Sequence, residues 1–443
     1  MTRTAPSHTI VVDLGFGDAG KGGVVDHLCR STDVHTVVRF NGGAQAAHNV
    51  VAPDGRHHTF AQFGSGTLVP GVRTHLSRFM LVDPLALATE AAHLRTLGVA
   101  DPFARLTVDR RALLTTPYHA AANRIRESVR GAARHGSCGM GVGETAAYAL
   151  AHPEDAPTAG DCADPTRLLA VLTRLRDRLT AELADLGLSE PLGPPPADCA
   201  AAFRAFADHT TLTDDGYLPH LLRTDSVVFE GAQGVLLDEW HGFHPYTTWS
   251  TTTFANAETL LAEADTAAGT GAAAPALRLG VLRSYTTRHG PGPLVTEDPT
   301  LDSTLPERHN GHGRWQGAFR LGHFDAVAHR YALAACGGAD ALALTHLDAP
   351  ARFPYLSLCE TYDLDGDELA TLPAAHPGDL ARQSALTAAL LRTRPGRTRT
   401  PGRGTRAWTE AVEDALGTPV LLTSHGPRST DKQLLTRAPA VPA

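Results

Sequence analysis

The chain has 443 residues, 42% apolar and 19% charged, with a formal net charge of −8. That balance fits a soluble globular protein with a sizeable core and argues against a surface basic enough to neutralise a nucleic-acid backbone, so small-molecule chemistry is expected and no nucleic-acid partner. Six scattered cysteines (Cys29, Cys138, Cys162, Cys199, Cys336, Cys359) show no C-x-x-C spacing, there is no signal-like N-terminal run, and no stretch of about 18 apolar residues occurs; a disulfide framework, a zinc knuckle and a membrane partner are not expected, and a cytoplasmic location is.

The segment HTIVVDLG (8–15) is a β-branched run that ends in glycines, and VVDHLCR follows at helical spacing, so strand, glycine loop and helix are expected in that order. The loop, GFGDAGKGG (15–23), has the G-x-x-x-x-G-K frame of a phosphate-binding loop. Its backbone amides and Lys21 would meet phosphate oxygens. Position 22 is Gly where a Walker A motif carries the hydroxyl that holds Mg²⁺, which makes Asp18, inside the loop, the candidate metal ligand.

Further strand-like runs follow at VHTVVRF (34–40), SVVFEGA (226–232), LGVLRSY (279–285), ADALALTHLD (339–348) and TPVLLTSHG (418–426). Helical stretches lie between them at PLALATEAAHLRTLG (84–98) and PTRLLAVLTRLRDRLTAELADLG (165–187). Continuous apolar strands alternating with helices predict an α/β fold with a mostly parallel central sheet and helices on both faces. One domain over 1–443 is expected, with surface loops near 188–200 and 392–406, the second carrying six arginines among Pro, Gly and Thr. Two further stretches concentrate functional groups: RFNGGAQAAHNVV (39–51), with His48, and FEGAQGVLLDEWHGFHPYTTWSTTT (229–253), with Gln233 and Asp238. The second follows a strand, where open α/β sheets place ligands.

Six collinear motifs, GDAGKG (17–22), RFNGGAQAAHN (39–49), FEGAQGVLLD with HGFHPYTT (229–248), SYTTRHGPGPLVTED (284–298), LTHLD (344–348) and SHGP (424–427), resemble those of the adenylosuccinate synthetases across nearly the whole chain. The resemblance implies that fold, a GTP-dependent ligase reaction, Mg²⁺ and a homodimer. It implies that Asp18 acts both as metal ligand and as base, that His48 acts as an acid supporting transfer of the γ-phosphoryl group, and that the backbone of Ala47 touches the metal. Gly17, Gly20, Lys21, Gly22 and Asn49 fall on the phosphate side. Asp348 falls where an aspartate accepts from guanine, implying GTP over ATP. His346 stands where a lysine is usual, a ring able to stack on the base, and Ser424, Gly426 and Pro427 match the second guanine-side loop. Gln233 and Thr248 match acceptor contacts.

The departures from the family pattern fall on the acceptor and amine side. Ala19 replaces a glutamate, Gly23 replaces the lysine after G-K-G, and Gln45 stands in place of an asparagine. The loop that meets the 5′-phosphate of IMP is GSCG (136–139), with Ser137 and Cys138 at its hydroxyl positions, and AHPEDAP (151–157) stands where a family arginine reaches that phosphate across the dimer. In HNGHGRWQGAFRLGHFD (309–325), Arg314 and Arg320 match the ends of the family's arginine run, but Ala318 or Phe319 occupies the bridging position, leaving Arg320 as the candidate clamp for an amine donor such as L-aspartate. Three readings follow: a GTP-dependent ligase acting on an acceptor other than IMP, an ordinary adenylosuccinate synthetase, or a GTP-binding protein without catalysis. Retention of both Asp18 and His48 argues against the third.

Overall fold

The computed structural model describes residues 7–188, 192–268, 276–305, 307, 310–311, 313–374 and 376–435. Strands β1 (His8–Asp13), β2 (Thr36–Arg39), β3 (Arg73–Leu76), β4 (Leu106–Asp109), β5 (Thr211–Thr213), β6 (Val227–Glu230), β7 (Ala276–Arg283), β8 (Ala341–Thr345), β9 (Val420–Ser424) and β10 (Lys432–Leu434) form one sheet. Among the described residues its order is β10-β9-β8-β7-β1-β6-β2-β3-β4-β5, parallel throughout except where β10 meets β9. The runs TVVR, LTVD, VVFE and ALALT are buried at every residue, as strands covered on both faces must be.

The two faces separate along β1 with period two. Val11 packs with Val24, Val25 and Leu28 of helix α1 (Lys21–Ser31). Ile10 and Val12 face the larger cluster, which contains Phe254, Leu260, Tyr331 and the fully buried Trp408. A third core covers the β3–β5 edge. There Leu76, Leu106 and Val108 meet Leu87 of α2 (Pro84–Thr96), Tyr118 of α3 (Pro117–Arg130), Leu168 and Leu175 of α4 (Pro165–Ala184) and Phe203 of α5 (Pro196–His209). No helix among the described residues is long and apolar enough to cross a membrane.

Both expected surface loops carry more order than composition implies. The first gives way to α5 at Pro196, since proline suits the first helical position, and residues 189–191 lie outside the described residues. The second holds two short strands, Arg394–Pro395 and Thr398–Arg399. Its Arg397 and Arg399 pair with Glu360 (2.9 and 2.7 Å) and Arg397 also with Glu368 (3.1 Å), so these cations are committed to the neighbouring hairpin.

Glu90 of α2, 7% exposed, accepts from the amides of Ala61 (3.0 Å), Gln62 (2.9 Å) and Phe63 (3.4 Å) and so anchors the strand exit leading to Ser65. Glu90→Ala leaves those buried donors without an acceptor and is expected to lower stability by about 2–4 kcal/mol in urea denaturation.

Candidate functional site

Asp13 closes β1, and its carboxylate turns beneath the glycine loop. It accepts from the amides of Gly15 (2.8 Å), Gly17 (3.3 Å) and Ala19 (2.8 Å) and from Lys21 Nζ (3.0 Å), which also donates to the Gln233 carbonyl (2.7 Å). Gly17, Asp18 and Gly20 take positive φ values of 94°, 59° and 91°. For a non-glycine residue such as Asp18 this conformation costs on the order of 1 kcal/mol. Arg283 offsets it by donating from Nε to the Asp18 carbonyl (2.7 Å).

The missing Walker hydroxyl has a steric cause. A Cβ on Gly22 would lie 2.8 Å from His48 Cβ and 3.0 Å from Ser65 Oγ, so the loop gives up its hydroxyl to let the histidine approach. His48 Nδ1 lies 2.7 Å from Glu230 Oε1. Glu230, fully buried at the end of β6, also accepts from the Ser65 amide (2.9 Å) and from the Ser65 hydroxyl. Burial opposes ionisation of Glu230, but His48 and Arg39 outweigh it and hold the carboxyl well below the usual carboxylate range. Burial lowers the His48 pKa, Glu230 opposes this, and Arg39 and Lys21 add to the lowering. An ionised partner on Nδ1 fixes the proton there and leaves Nε2 for a ligand.

These groups line one cavity of about 340 Å³ at the carboxyl ends of β1, β6, β7, β8 and β9. Of the residues expected in the site, it gathers Gly17, Asp18, Gly20, Lys21, Gly22, Gln45, Ala47, His48, Asn49, Gln233, His346, Asp348, Ser424, Gly426 and Pro427. Asp348 occupies the position preceding the short helix Ala349–Arg352 without capping it, and its carboxylate pairs instead with Arg352 (2.9 Å). His346 has a φ of 57°, and its ring meets Tyr285 edge-on at 5.6 Å.

The remaining expected residues lie outside the cavity lining. Ser137 donates from Oγ to Asn123 Oδ1 (2.7 Å), and the Cys138 thiol pKa is pushed up by burial. Thr248 donates its amide to the Leu237 carbonyl (2.8 Å). Arg314 lies over the Trp315 ring at 5.2 Å. Arg320, the expected carboxylate clamp, gives one N–H from each of its three nitrogens to Gly290 O (3.0 Å), Glu297 (2.7 Å) and Gly292 O (2.7 Å). His309 and His312 of the same stretch lie outside the described residues.

Several lining groups were not expected from the sequence. Arg283, at the end of β7, pairs with Glu307 (2.6 Å), and Tyr285 donates to the same carboxylate (2.7 Å); burial opposes the ionisation of Glu307, but Arg283 prevails and holds it at about 2. His289 Nε2 stands 3.4 Å from Asp18 Oδ2. Both side-chain polar atoms of Gln45, Oε1 of Gln233 and Nδ1 of His289 are buried without a partner, a costly state unless a ligand completes them. Asp13 and Glu230 carried one sequence signal: each is an acid closing an otherwise apolar strand.

A family profile described as adenylosuccinate synthetase matches residues 10–432. The chain belongs to the adenylosuccinate synthetase family. It is therefore placed among GTP-dependent ligases that form C–N bonds and, as a family, use Mg²⁺. An adenylosuccinate synthetase from Cyanothece sp. is 33% identical over 382 residues, 83% of this chain and 80% of the relative. One from Trichormus variabilis is 31% identical over 407 residues, 88% of this chain and 84% of the relative. Among solved structures, the fully ligated adenylosuccinate synthetase of Plasmodium falciparum superposes with a TM-score of 0.81 at 20% identity, covering 98% of this chain and all (100%) of that one. The succinoaminodeoxyadenylate synthetase of cyanophage S-2L, bound to dGMP and to dATP as an energy donor, gives 0.62 at 18% identity, covering 98% and 96%.

The donor set suits the family's metal. No group of three or more His, Cys, Asp or Glu side chains forms a metal cage among the described residues. Mg²⁺ that takes phosphate and water oxygens needs only one or two protein carboxylates, and Asp18, 28% exposed on the cavity wall beside Lys21, supplies one. In this adenylosuccinate synthetase relative, Glu230→Gln removes the charge that orients His48. The rate of GDP formation is expected to fall about 10–100-fold in steady-state kinetics. Asp18→Asn is expected to abolish turnover while leaving thermal denaturation unchanged, because the amide is neither base nor good Mg²⁺ ligand.

Proposed function

We propose that this chain is a GTP-dependent ligase that phosphorylates an amide-, lactam- or carboxylate-type oxygen of an acceptor other than IMP and displaces the phosphate with an amine. The observation that carries the acceptor reading is Glu127, 1% exposed on α3. Its Oε2 accepts from the amides of Gly136 (3.2 Å) and Ser137 (3.4 Å), and Arg130 donates to its Oε1 (2.5 Å). These amides belong to the loop that resembles the family's contact with a 5′-phosphate. Here the chain's own carboxylate takes their hydrogen bonds, so a phosphate reaching this loop would find both amides already occupied. The loop is further covered by aromatic and apolar groups: a Cβ on Gly139 would lie 2.9 Å from the Trp315 ring, and one on Gly136 would lie 2.5 Å from Pro291. In AHPEDAP, Asp155 pairs with Arg174 (2.9 Å) and Arg178 (2.7 Å).

In the proposed reaction the Asp18 carboxylate takes the N–H proton of an amide- or lactam-type acceptor, a step a carboxylate acceptor does not need, and the acceptor oxygen then attacks the γ-phosphorus of GTP as the bond to GDP breaks. An amine next attacks the activated carbon, and phosphate leaves with the former acceptor oxygen. Lys21 and the loop amides hold the phosphates. His48, protonated from solvent on Nε2 as the triphosphate's negative charge arrives, donates that N–H to the transferring phosphoryl group and stabilises it. The unpartnered amide of Gln45 presents a donor and an acceptor to the acceptor molecule, and Oε1 of Gln233 a further acceptor. Mg²⁺ would be held by Asp18 and the Ala47 backbone and would neutralise charge on the phosphates. Positioning and charge neutralisation of this kind are what the site supplies. A cytoplasmic homodimer is proposed on family membership.

The names of the relatives favour a second reading, an ordinary adenylosuccinate synthetase. One experiment separates the two: purified protein with IMP, L-aspartate, GTP and Mg²⁺, followed by the absorbance of adenylosuccinate. We expect no efficient turnover, and a rate of about 10 s⁻¹ at micromolar IMP, the median for enzymes, would establish the second reading instead. GTP is expected to outcompete ATP, and Asp348→Asn to weaken GTP binding by on the order of 2 kcal/mol through loss of charge-assisted bonds. Titration calorimetry with each nucleotide checks both.

A further inference from the structure

Lys432 is the first residue of β10, the antiparallel edge strand, and it is absent from every motif on which the family resemblance rests. It is nine-tenths buried, at 9% exposure, yet it lines the cavity. Its Nζ donates only to backbone, to Arg428 O at 3.0 Å and Gly426 O at 3.4 Å, and it forms no ion pair among the described residues. The two acids whose charges favour it are bonded elsewhere, Asp26 to Arg30 through both oxygens (3.0 and 2.9 Å) and Asp431 to the Arg428 amide (2.8 Å). With no carboxylate in contact with the ammonium, burial outweighs the pull of Asp431 and Asp26 and takes its pKa down to about 8.

The opposite wall explains what this cation is for. A Cβ on Gly23, in the first turn of α1, would stand 3.0 Å from Lys432 Nζ and 3.1 Å from Lys432 Cε. The side-chain space at position 23 is thus filled by the lysine of β10. Position 23 is also where the resemblance expects a lysine and the chain has glycine. The charge has not been lost from this corner. It has moved from the helix to the facing strand, and the glycine is what admits it.

We propose that Lys432 is a binding residue for the phosphate chain of the nucleoside triphosphate, replacing a loop lysine by a spatial exchange. Its ammonium stands against Gly23 in the first turn of α1 and lines the same cavity as Lys21, so that a polyphosphate in the cavity meets both cations. The assignment rests on the reading of the cavity as a nucleotide site but not on the choice of guanine.

The test measures dissociation constants of GTP, ATP and guanosine, with Mg²⁺ present, for wild type, Lys432→Ala and the double variant Gly23→Lys/Lys432→Ala. Loss of at least tenfold in GTP affinity in Lys432→Ala, with guanosine affinity unchanged and most of the loss recovered in the double variant, is the expected result. Guanosine serves as the folding control, because a collapsed site loses it too. Wild-type GTP affinity in Lys432→Ala, or an equal loss for guanosine, overturns the assignment. Should the wild type prefer ATP, the guanine reading fails, and a Lys432-dependent loss of ATP binding upholds this one; wild type that binds neither triphosphate overturns both.

Discussion

A single buried carboxylate organises the site. Asp13 receives three loop amides and the ammonium of Lys21, and in doing so fixes a turn that contains a left-handed aspartate. A charge buried to 1% exposure is tolerable only because four donors converge on it. The arrangement also determines what Lys21 can do. Tethered to Asp13 and to the Gln233 carbonyl, it is pre-positioned rather than free to search, so little side-chain entropy remains to be lost when an anion arrives.

The second constraint runs from Glu230 through His48 to Gly22. Glu230 is held by Ser65 and Arg39, His48 is held by Glu230, and the space His48 occupies forbids any side chain at position 22. The departure from a Walker motif and the presence of a buried histidine are therefore one feature seen from two sides. With position 22 closed to a hydroxyl by the imidazole, Asp18 is the carboxylate of the loop left open on the cavity wall.

Much of this could be read from the chain before the fold was known. HTIVVD, VVFE and ALALT are apolar runs of strand length, and the glycine loop, LTHLD and SHGP all sit where parallel strands end, which is why their residues converge on one cavity. Strands β3, β4 and β5 were not legible, because RTHL, LTVD and TLT are runs of three or four residues in which polar groups make up half or more, too short for a pattern to stand out. Arg320 looked free because sequence shows a fork and not its partners; three carbonyl and carboxylate acceptors from 290–297 each take one of its N–H groups. Lys432 escaped notice for the opposite reason. Its neighbour Gly23 is more than four hundred positions away in the chain, and only the pairing of β9 with β10 brings them together.

Glu127 has a consequence for how the acceptor loop behaves through a catalytic cycle. A ligand that binds from solution has a concentration and an off-rate; a carboxylate on the same chain has neither in the ordinary sense. Covalent tethering gives it an effective concentration of millimolar order or above, so any diffusing anion must outcompete a resident that never leaves. The Gly136–Ser137 amides are consequently saturated before substrate arrives. That pair of donors is occupied by the chain itself rather than held open for an incoming anion.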